Sequence, residues 1–170
     1  MFKSSPLRTF IITKMSITKT ELEAQSKRLV DSCPGWSLLK FKGENIDFML
    51  TMSEIRAVGP KIYGIEYNVS YNESYEVPVM YFNPHRQDGT IADLDEIFTQ
   101  ELPSMSISQV EHPVLFRPCF LVHPCRTKEF MKDHKTSNYL LTWLTVIGNL
   151  IGLKIEITQD QVRIMGRPIE

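Results

Sequence analysis

Apolar residues recur along this chain with two different periods, and the change from one to the other divides it into elements. Thr18-Lys19-Thr20-Glu21 has the form of a helix cap, and Leu22, Leu29 and Val30 give the segment behind it an apolar helical face. Cys33-Pro34-Gly35 ends that helix. Large apolar side chains then cluster over Trp36 to Lys42 without clean alternation. Over Asn45 to Thr51, Ile46, Phe48 and Leu50 share one face. Gly43-Glu44-Asn45 reads as a tight turn between these two strands. Beyond the break at Gly59-Pro60, Tyr63, Ile65, Tyr67, Val69 and Tyr71 alternate with Gly64, Glu66, Asn68 and Ser70. This is the clearest period-two pattern in the chain. The chain turns over Tyr71 to Ser74. Val77, Val79 and Tyr81 then start a further strand, in which Pro78 suggests an edge or a bulge. These segments predict an antiparallel meander of about four strands behind an N-terminal helix.

The helical period then returns. Asp88-Gly89 is a turn, and Thr90 with Asp93 resembles a capping box ahead of the face Ile91, Leu94, Ile97 and Phe98. Residues 101–111 read as a loop, and Leu115 to Val122 reads as an apolar strand. A short helix is expected after Cys125, then a long one from Ser137 to Leu153 that buries Leu140, Trp143, Leu144, Ile147, Leu150 and Ile151. Ile155, Ile157, Val162 and Ile164 suggest short strand pieces in the tail. Helices segregated beside an antiparallel sheet define an α+β domain. The expected organisation is a flexible leader over residues 1–15 and a single domain over 16–170. The first fourteen residues carry Lys3, Arg8 and Lys14 and no acid, faintly like a transit peptide, but they are few and contain Pro6.

Composition narrows the function classes. The chain has 170 residues and a formal net charge of −1, and its basic residues are spread rather than gathered in a stripe. Neither nucleic acid nor an anionic membrane is indicated as a partner. The most apolar stretch, Leu140 to Leu153, is interrupted by Thr142, Thr145, Gly148, Asn149 and Gly152, so no transmembrane segment is read. Three cysteines without regular spacing, Cys33, Cys119 and Cys125, argue for a reducing compartment rather than a disulfide framework.

The densest group of reactive side chains runs from His112-Pro113 through Cys119 to His123-Pro124-Cys125-Arg126-Thr127-Lys128. Pro124 cannot continue a central ladder, so Cys125 is placed just past a strand end and at the start of a helix. An accessible strand end, a helix N-terminus and two neighbouring cations, Arg126 and Lys128, all favour a thiolate. A thiol with a pKa lowered from its usual ~8.5 suits attack on a thioester and good leaving-group behaviour afterwards. Cys119, between apolar neighbours, reads as a core residue. Cys119, His123 and Cys125 share strand parity, with His112 nearby, which raises zinc. Alternate strand positions lie roughly 6–7 Å apart at the backbone, however. No Cys-x-x-Cys knuckle is present either, so neither a metal nor another cofactor is read.

Beyond these local patterns, the segment Glu111-His112-Pro113-Val114-Leu115 … Leu121-Val122-His123-Pro124-Cys125-Arg126-Thr127-Lys128-Glu129-Phe130-Met131 resembles the active-site segment of the conjugating-enzyme-like proteins of autophagy, whose hallmark is His-Pro-Cys. Asn138-Tyr139-Leu140 … Trp143-Leu144 … Ile147-Gly148 … Gly152-Leu153 and Glu66-Tyr67 … Tyr71 … Ser74-Tyr75-Glu76-Val77-Pro78-Val79-Met80-Tyr81-Phe82 are similar to the autophagy-related protein ten branch of that family. The resemblance covers roughly residues 61–155. It implies a ubiquitin-conjugating-enzyme-like fold and an acyltransferase that works in the cytoplasm, peripherally at the autophagosome assembly site. In such an enzyme the cysteine matching Cys125 receives the ubiquitin-like autophagy-related protein twelve from the activating enzyme, autophagy-related protein seven. The modifier is held as a thioester and passed to a lysine of autophagy-related protein five. The sibling that acts on a lipid amine carries long insertions and reads Cys-Lys-His-Ala where this chain reads Cys125-Arg126-Thr127-Lys128.

Ordinary ubiquitin-conjugating enzymes carry a His-Pro-Asn motif upstream of their cysteine, and its asparagine stabilises the oxyanion. Here the triplet is His-Pro-Cys, so the donors are open. His123 is nearest in sequence. Tyr63, Tyr67 and Asn83 are further candidates, although alternating tyrosines on a strand usually pack inward and Asn83 before Pro84 also reads as a turn residue. The strands from Asn45 to Phe82 offer an edge for pairing with a partner. Two other functions fit the residues: a non-catalytic partner-binding adaptor of the same fold, and a thiol redox protein using Cys119 and Cys125.

Overall fold

The computed structural model describes residues 12–42, 46–98 and 107–166. The element order is β1 (Ile12–Thr13), α1 (Lys19–Ser32), β2 (Trp36–Lys40), β3 (Phe48–Val58), β4 (Lys61–Asn72), β5 (Val77–His85), α2 (Leu94–Ile97), β6 (Ile107–Glu111), β7 (Pro118–Val122), α3 (Thr127–Met131), β8 (Lys135–Thr136), α4 (Tyr139–Leu150) and α5 (Gln159–Met165). β2 to β7 form one antiparallel sheet in the order β2-β3-β4-β5-β7-β6, while β1 pairs with β8. The α+β class is as expected. The sheet, however, has six strands rather than about four, because the strand expected before Val122 joins the meander as β7 and part of the loop read over 101–111 pairs with it as β6.

One face of the sheet carries the core. Leu50 of β3, Tyr63, Ile65, Tyr67 and Val69 of β4, Met80 and Phe82 of β5, and Phe120 and Val122 of β7 pack with Leu22 and Leu29 of α1 and Trp143, Leu144 and Ile147 of α4. Period-two burial on the strands and helical spacing on α1 and α4 thus meet in a single apolar layer. α1 is capped as its sequence predicts: the Thr18 side chain accepts the Glu21 N–H, and the Glu21 side chain returns to the Thr18 N–H. α4 begins at the Asn138 cap, whose side chain accepts the Leu141 N–H, and closes at Gly152, where φ is +73°.

Several expectations shift. Pro78 lies in β5, an interior strand, not at an edge. Ala92 donates its N–H to the Pro84 carbonyl, so the even-numbered backbone groups of β5 face the β7 side. Pro78 and Pro84 have no N–H to give there, and the β5–β7 ladder is confined to Met80–Phe82. Asn83 and Pro84 sit within β5 rather than in a turn. The capping box near α2 is Asp93 with Glu96, not Thr90 with Asp93, and the helix is one short turn. The tail forms a helix, α5, because Thr158 and Gln161 make a capping box. The Gly43-Glu44-Asn45 turn lies outside the described residues, as do residues 1–11 of the expected leader. Ile12 and Thr13 pair with Thr136 and Lys135, and the Met15 carbonyl accepts the Tyr139 hydroxyl.

Two polar devices lock this layer. Arg56 on β3 donates to the Gly152 carbonyl at 2.7 Å and the Ile151 carbonyl at 3.4 Å, closing the C-terminal end of α4. It also donates to the Tyr67 hydroxyl, and both groups bond the Glu54 carboxylate. His112 organises the β6–β7 turn: its Nδ1 accepts the N–H groups of Val114 and Leu115, and its ring centroid lies 4.8 Å from that of Tyr81. Burial of the imidazole pulls its pKa down to about 4.

Arg56→Met removes the charged bonds to the end of α4 and should cost about 2 kcal/mol in urea unfolding. His112 is neutral when folded, and its folded pKa lies below the unfolded value near ~6.5. The unfolded chain therefore binds the extra proton between those values, and stability should fall as pH drops from about 6.5 to about 4. In His112→Asn, whose side-chain oxygen can accept the same N–H groups, the urea midpoint should depend less on pH across that window.

Candidate functional site

Val122 of β7 pairs with Met80 of β5 on one side and Ile107 of β6 on the other, which fixes where the chain leaves the sheet. Immediately beyond, Pro124–Arg126 forms a single 3₁₀ turn. His123 is its N-cap and Pro124 its first residue, a position where a missing N–H costs nothing. The His123 Nδ1 accepts the Cys125 N–H at 3.2 Å. Nδ1 is therefore the unprotonated nitrogen and Nε2 carries the proton. Thr127 and Met131, four residues apart on one face of α3, are buried and tie the short helix to the core. Pro124 is buried as well and His123 half-buried, so Cys125 is the exposed member of the triplet. Its thiol is free.

The sequence features around Cys125 are realised unevenly. The exposed strand end is present. The helix beyond it has only five residues, and both neighbouring cations have partners. Arg126 makes a two-point pair with Glu129 at 2.9 and 3.2 Å and lies 5.1 Å from the Phe130 ring centroid. That pairing raises the Arg126 pKa and lowers that of Glu129. Lys128 faces Glu76 at 3.8 Å.

Of the assisting residues considered, the structure brings only His123 to Cys125. Tyr63 is a core residue whose hydroxyl donates to Glu96. Tyr67 is wholly buried in the Arg56–Glu54 network, and burial raises its pKa. Asn83 donates to the Pro118 carbonyl at 2.5 Å, at the opposite end of β7 from Cys125. Register explains these placements. Tyr67 and Phe82 stand level with Phe120, and Tyr63 is further still from the end where the chain emerges as Cys125.

That end adjoins the β4–β5 turn instead, which local sequence reasoning missed. The Tyr75 ring meets the His123 ring edge-on with centroids 5.8 Å apart, and the following residue, Glu76, is the one facing Lys128. No local pattern marks these two residues. Only the pairing of Asn72 with Val77 and of Met80 with Val122 carries the turn to the cysteine.

A thiol redox pair is not formed. Cys119 is buried within β7 opposite Val110, and burial pushes its thiol up to about 11. The three strand steps from Cys119 to Val122 already span about 10 Å, and Cys125 lies beyond that strand end, so the pair is not placed for a disulfide. Among the described residues no group of His, Cys, Asp and Glu side chains is arranged to hold a metal ion. None of their helices is long and apolar enough to cross a membrane.

Cys125 is thus an exposed thiol on a capped turn beyond the end of β7. A family model described as autophagocytosis associated protein, active-site domain, matches residues 43–158. The chain belongs to this family. The matched span contains the β3–β7 sheet, the Cys125 turn and α4. Three curated relatives are each named ubiquitin-like-conjugating enzyme ATG10. The human protein is 36% identical over 120 residues, covering 60% of this chain and 54% of its own length. The Arabidopsis thaliana protein is 32% identical over 114 residues, covering 54% and 50%. The Dictyostelium discoideum protein is 32% identical over 117 residues, covering 53% and 51%. The chain spans about half the length of the curated relatives it matches. Within this autophagocytosis-associated family domain, the triplet His123-Pro124-Cys125 now has a structural reading as cap, first turn residue and presented thiol.

The cap can be tested without a substrate. His123→Ala should cost about 1 kcal/mol and speed hydrogen exchange at the Cys125 amide, whereas His123→Asn, a good capping residue, should restore most of both. Equal exchange in all three proteins would show that the imidazole does not hold the turn.

Proposed function

We propose that the protein is an acyltransferase of the ubiquitin-like-conjugating type, with Cys125 as nucleophile and thioester carrier. The observation that carries this reading is the presentation of Cys125. It is an exposed, free cysteine on a short turn anchored through Pro124 and Thr127, in a chain of the autophagocytosis-associated active-site family. The shared name of the relatives supports the same class. In finer detail, Cys125 accepts autophagy-related protein twelve from the activating enzyme, autophagy-related protein seven, and delivers it to a lysine of autophagy-related protein five. The protein acts in the cytoplasm at the site of autophagosome assembly.

The chemistry balances without a cofactor. The Cys125 thiolate attacks the carbonyl of the thioester on the activating enzyme, and that enzyme's thiolate leaves. The acceptor lysine, as the free amine, then attacks the Cys125 thioester. An amide forms, the Cys125 thiolate leaves, and the amine proton passes to solvent or a nearby base. An exposed sulfur suits both steps, because two successive protein partners must reach the same atom. His123 supports them through the backbone by capping the turn, and Tyr75 flanks His123.

A reconstituted transfer tests the reading. Wild-type protein should form a covalent adduct with the modifier that reductant cleaves. Cys125→Ser should form an adduct that resists reductant, since an oxygen ester replaces the thioester, and Cys125→Ala should form none. An adduct on Cys125→Ala would remove the assignment, and a wild-type protein that binds the acceptor but never becomes loaded would favour the adaptor.

A further inference from the structure

Glu76 occupies an unusual backbone position beside Cys125. Its φ is +55°, in the left-handed region where glycine, asparagine and aspartate are at ease and glutamate is not. Each part of the residue is nevertheless engaged. Its carbonyl accepts the N–H of buried Ile17, in the segment that joins β1 to α1. Its carboxylate faces Lys128 on α3, three residues after Cys125, at 3.8 Å. Its neighbour Tyr75 lies edge-on against His123, whose imidazole caps the Cys125 turn. Tyr75 and Glu76 therefore touch the Cys125 turn from both of its flanks.

Stability does not account for a glutamate here. The pair with Lys128 is solvent-exposed on both sides, and such pairs contribute little to folding. Glycine would keep the turn and shed the conformational cost. Residues held in sparsely populated conformations beside a reactive group point to a role in that group's geometry.

We infer that Glu76 is a positioning residue for Cys125. Together with Tyr75, it pins the turn carrying the thioester to the β4–β5 turn by holding Lys128. This inference rests on Cys125 being the thioester carrier. Pro124, Thr127 and Met131 anchor the turn and α3 in the core, and Tyr75 and Glu76 add contacts at His123 and Lys128. Small displacements of a reacting atom are costly in rate. Glu76 thus acts on the reaction through Lys128 and the turn.

The test uses the full chain, loaded at Cys125 with autophagy-related protein twelve by autophagy-related protein seven and then discharged by free L-lysine in a single turnover. Glu76→Gly should melt at the same temperature as wild type or higher, yet discharge roughly tenfold more slowly. Glu76→Lys should also be slow, and the charge-reversed pair Glu76→Lys with Lys128→Glu should recover most of the rate. A merely structural residue would show rate and stability falling together. Discharge of Glu76→Gly at the wild-type rate overturns the inference, as does failure of the reversed pair to recover while both proteins fold and load. Loading of Cys125→Ala overturns the reading beneath it instead, and is seen before any discharge is measured.

Discussion

The antiparallel register of β4, β5 and β7 sets the position of everything else at the candidate site. Val69 stands opposite Met80, and Met80 opposite Val122. Because the side-chain period of a strand is two, this alignment puts Val69, Met80 and Val122 on the core face together. It also decides that β7 ends beside the β4–β5 turn. A slip of one residue would expose the core side chains and would move the cysteine away from Tyr75 and Glu76. The register is guarded by Pro78 and Pro84, which cannot donate on the β7 side and so limit that ladder to three residue pairs.

Around this frame the molecule separates rigidity from access. The side chains that fix the Cys125 turn, Pro124, Thr127 and Met131, are buried, and the thiol itself is exposed. Arg56 does a similar job at the far end of α4, joining the helix terminus to β3 through two carbonyls and a shared carboxylate. The polar bonds act at element ends, where backbone groups would otherwise lack partners. The apolar layer between them needs no such help. The thiol is thus left open while the residues around it are held in the core.

Much of the fold is legible in the chain because local physics is strong there. The period-two run Tyr63 to Tyr71 is a strand, the Thr18–Glu21 pair is a capping box, and Leu140 to Ile147 face the core of a helix. Where expectation and structure part, a longer-range contact decides. Residues 107–111 have little apolar pattern of their own and become a strand only because β7 offers an unpaired edge. The tail over 159–165 is helical because Thr158 and Gln161 cap it and Gln161 bonds the Ser32 carbonyl of α1. Asn83 is a strand residue because Pro118 accepts its amide and Glu66 stands opposite.

By itself the sequence placed Cys125 just past a strand end and made it the candidate nucleophile. His123-Pro124-Cys125 after an apolar run dictates a strand end, a capped turn and a presented thiol, because proline ends the ladder and a histidine can accept an N–H two residues on. It also placed Tyr63 and Tyr67 on the apolar face of an alternating strand and Cys119 between apolar neighbours. Only the tertiary structure decided which residues surround the thiol. Tyr75 and Glu76 lie about fifty residues upstream in a polar turn, and neither periodicity nor spacing ties them to the cysteine. They reach Cys125 because two strand ladders must be in register at once, and such pairing depends on the whole sheet burying one face.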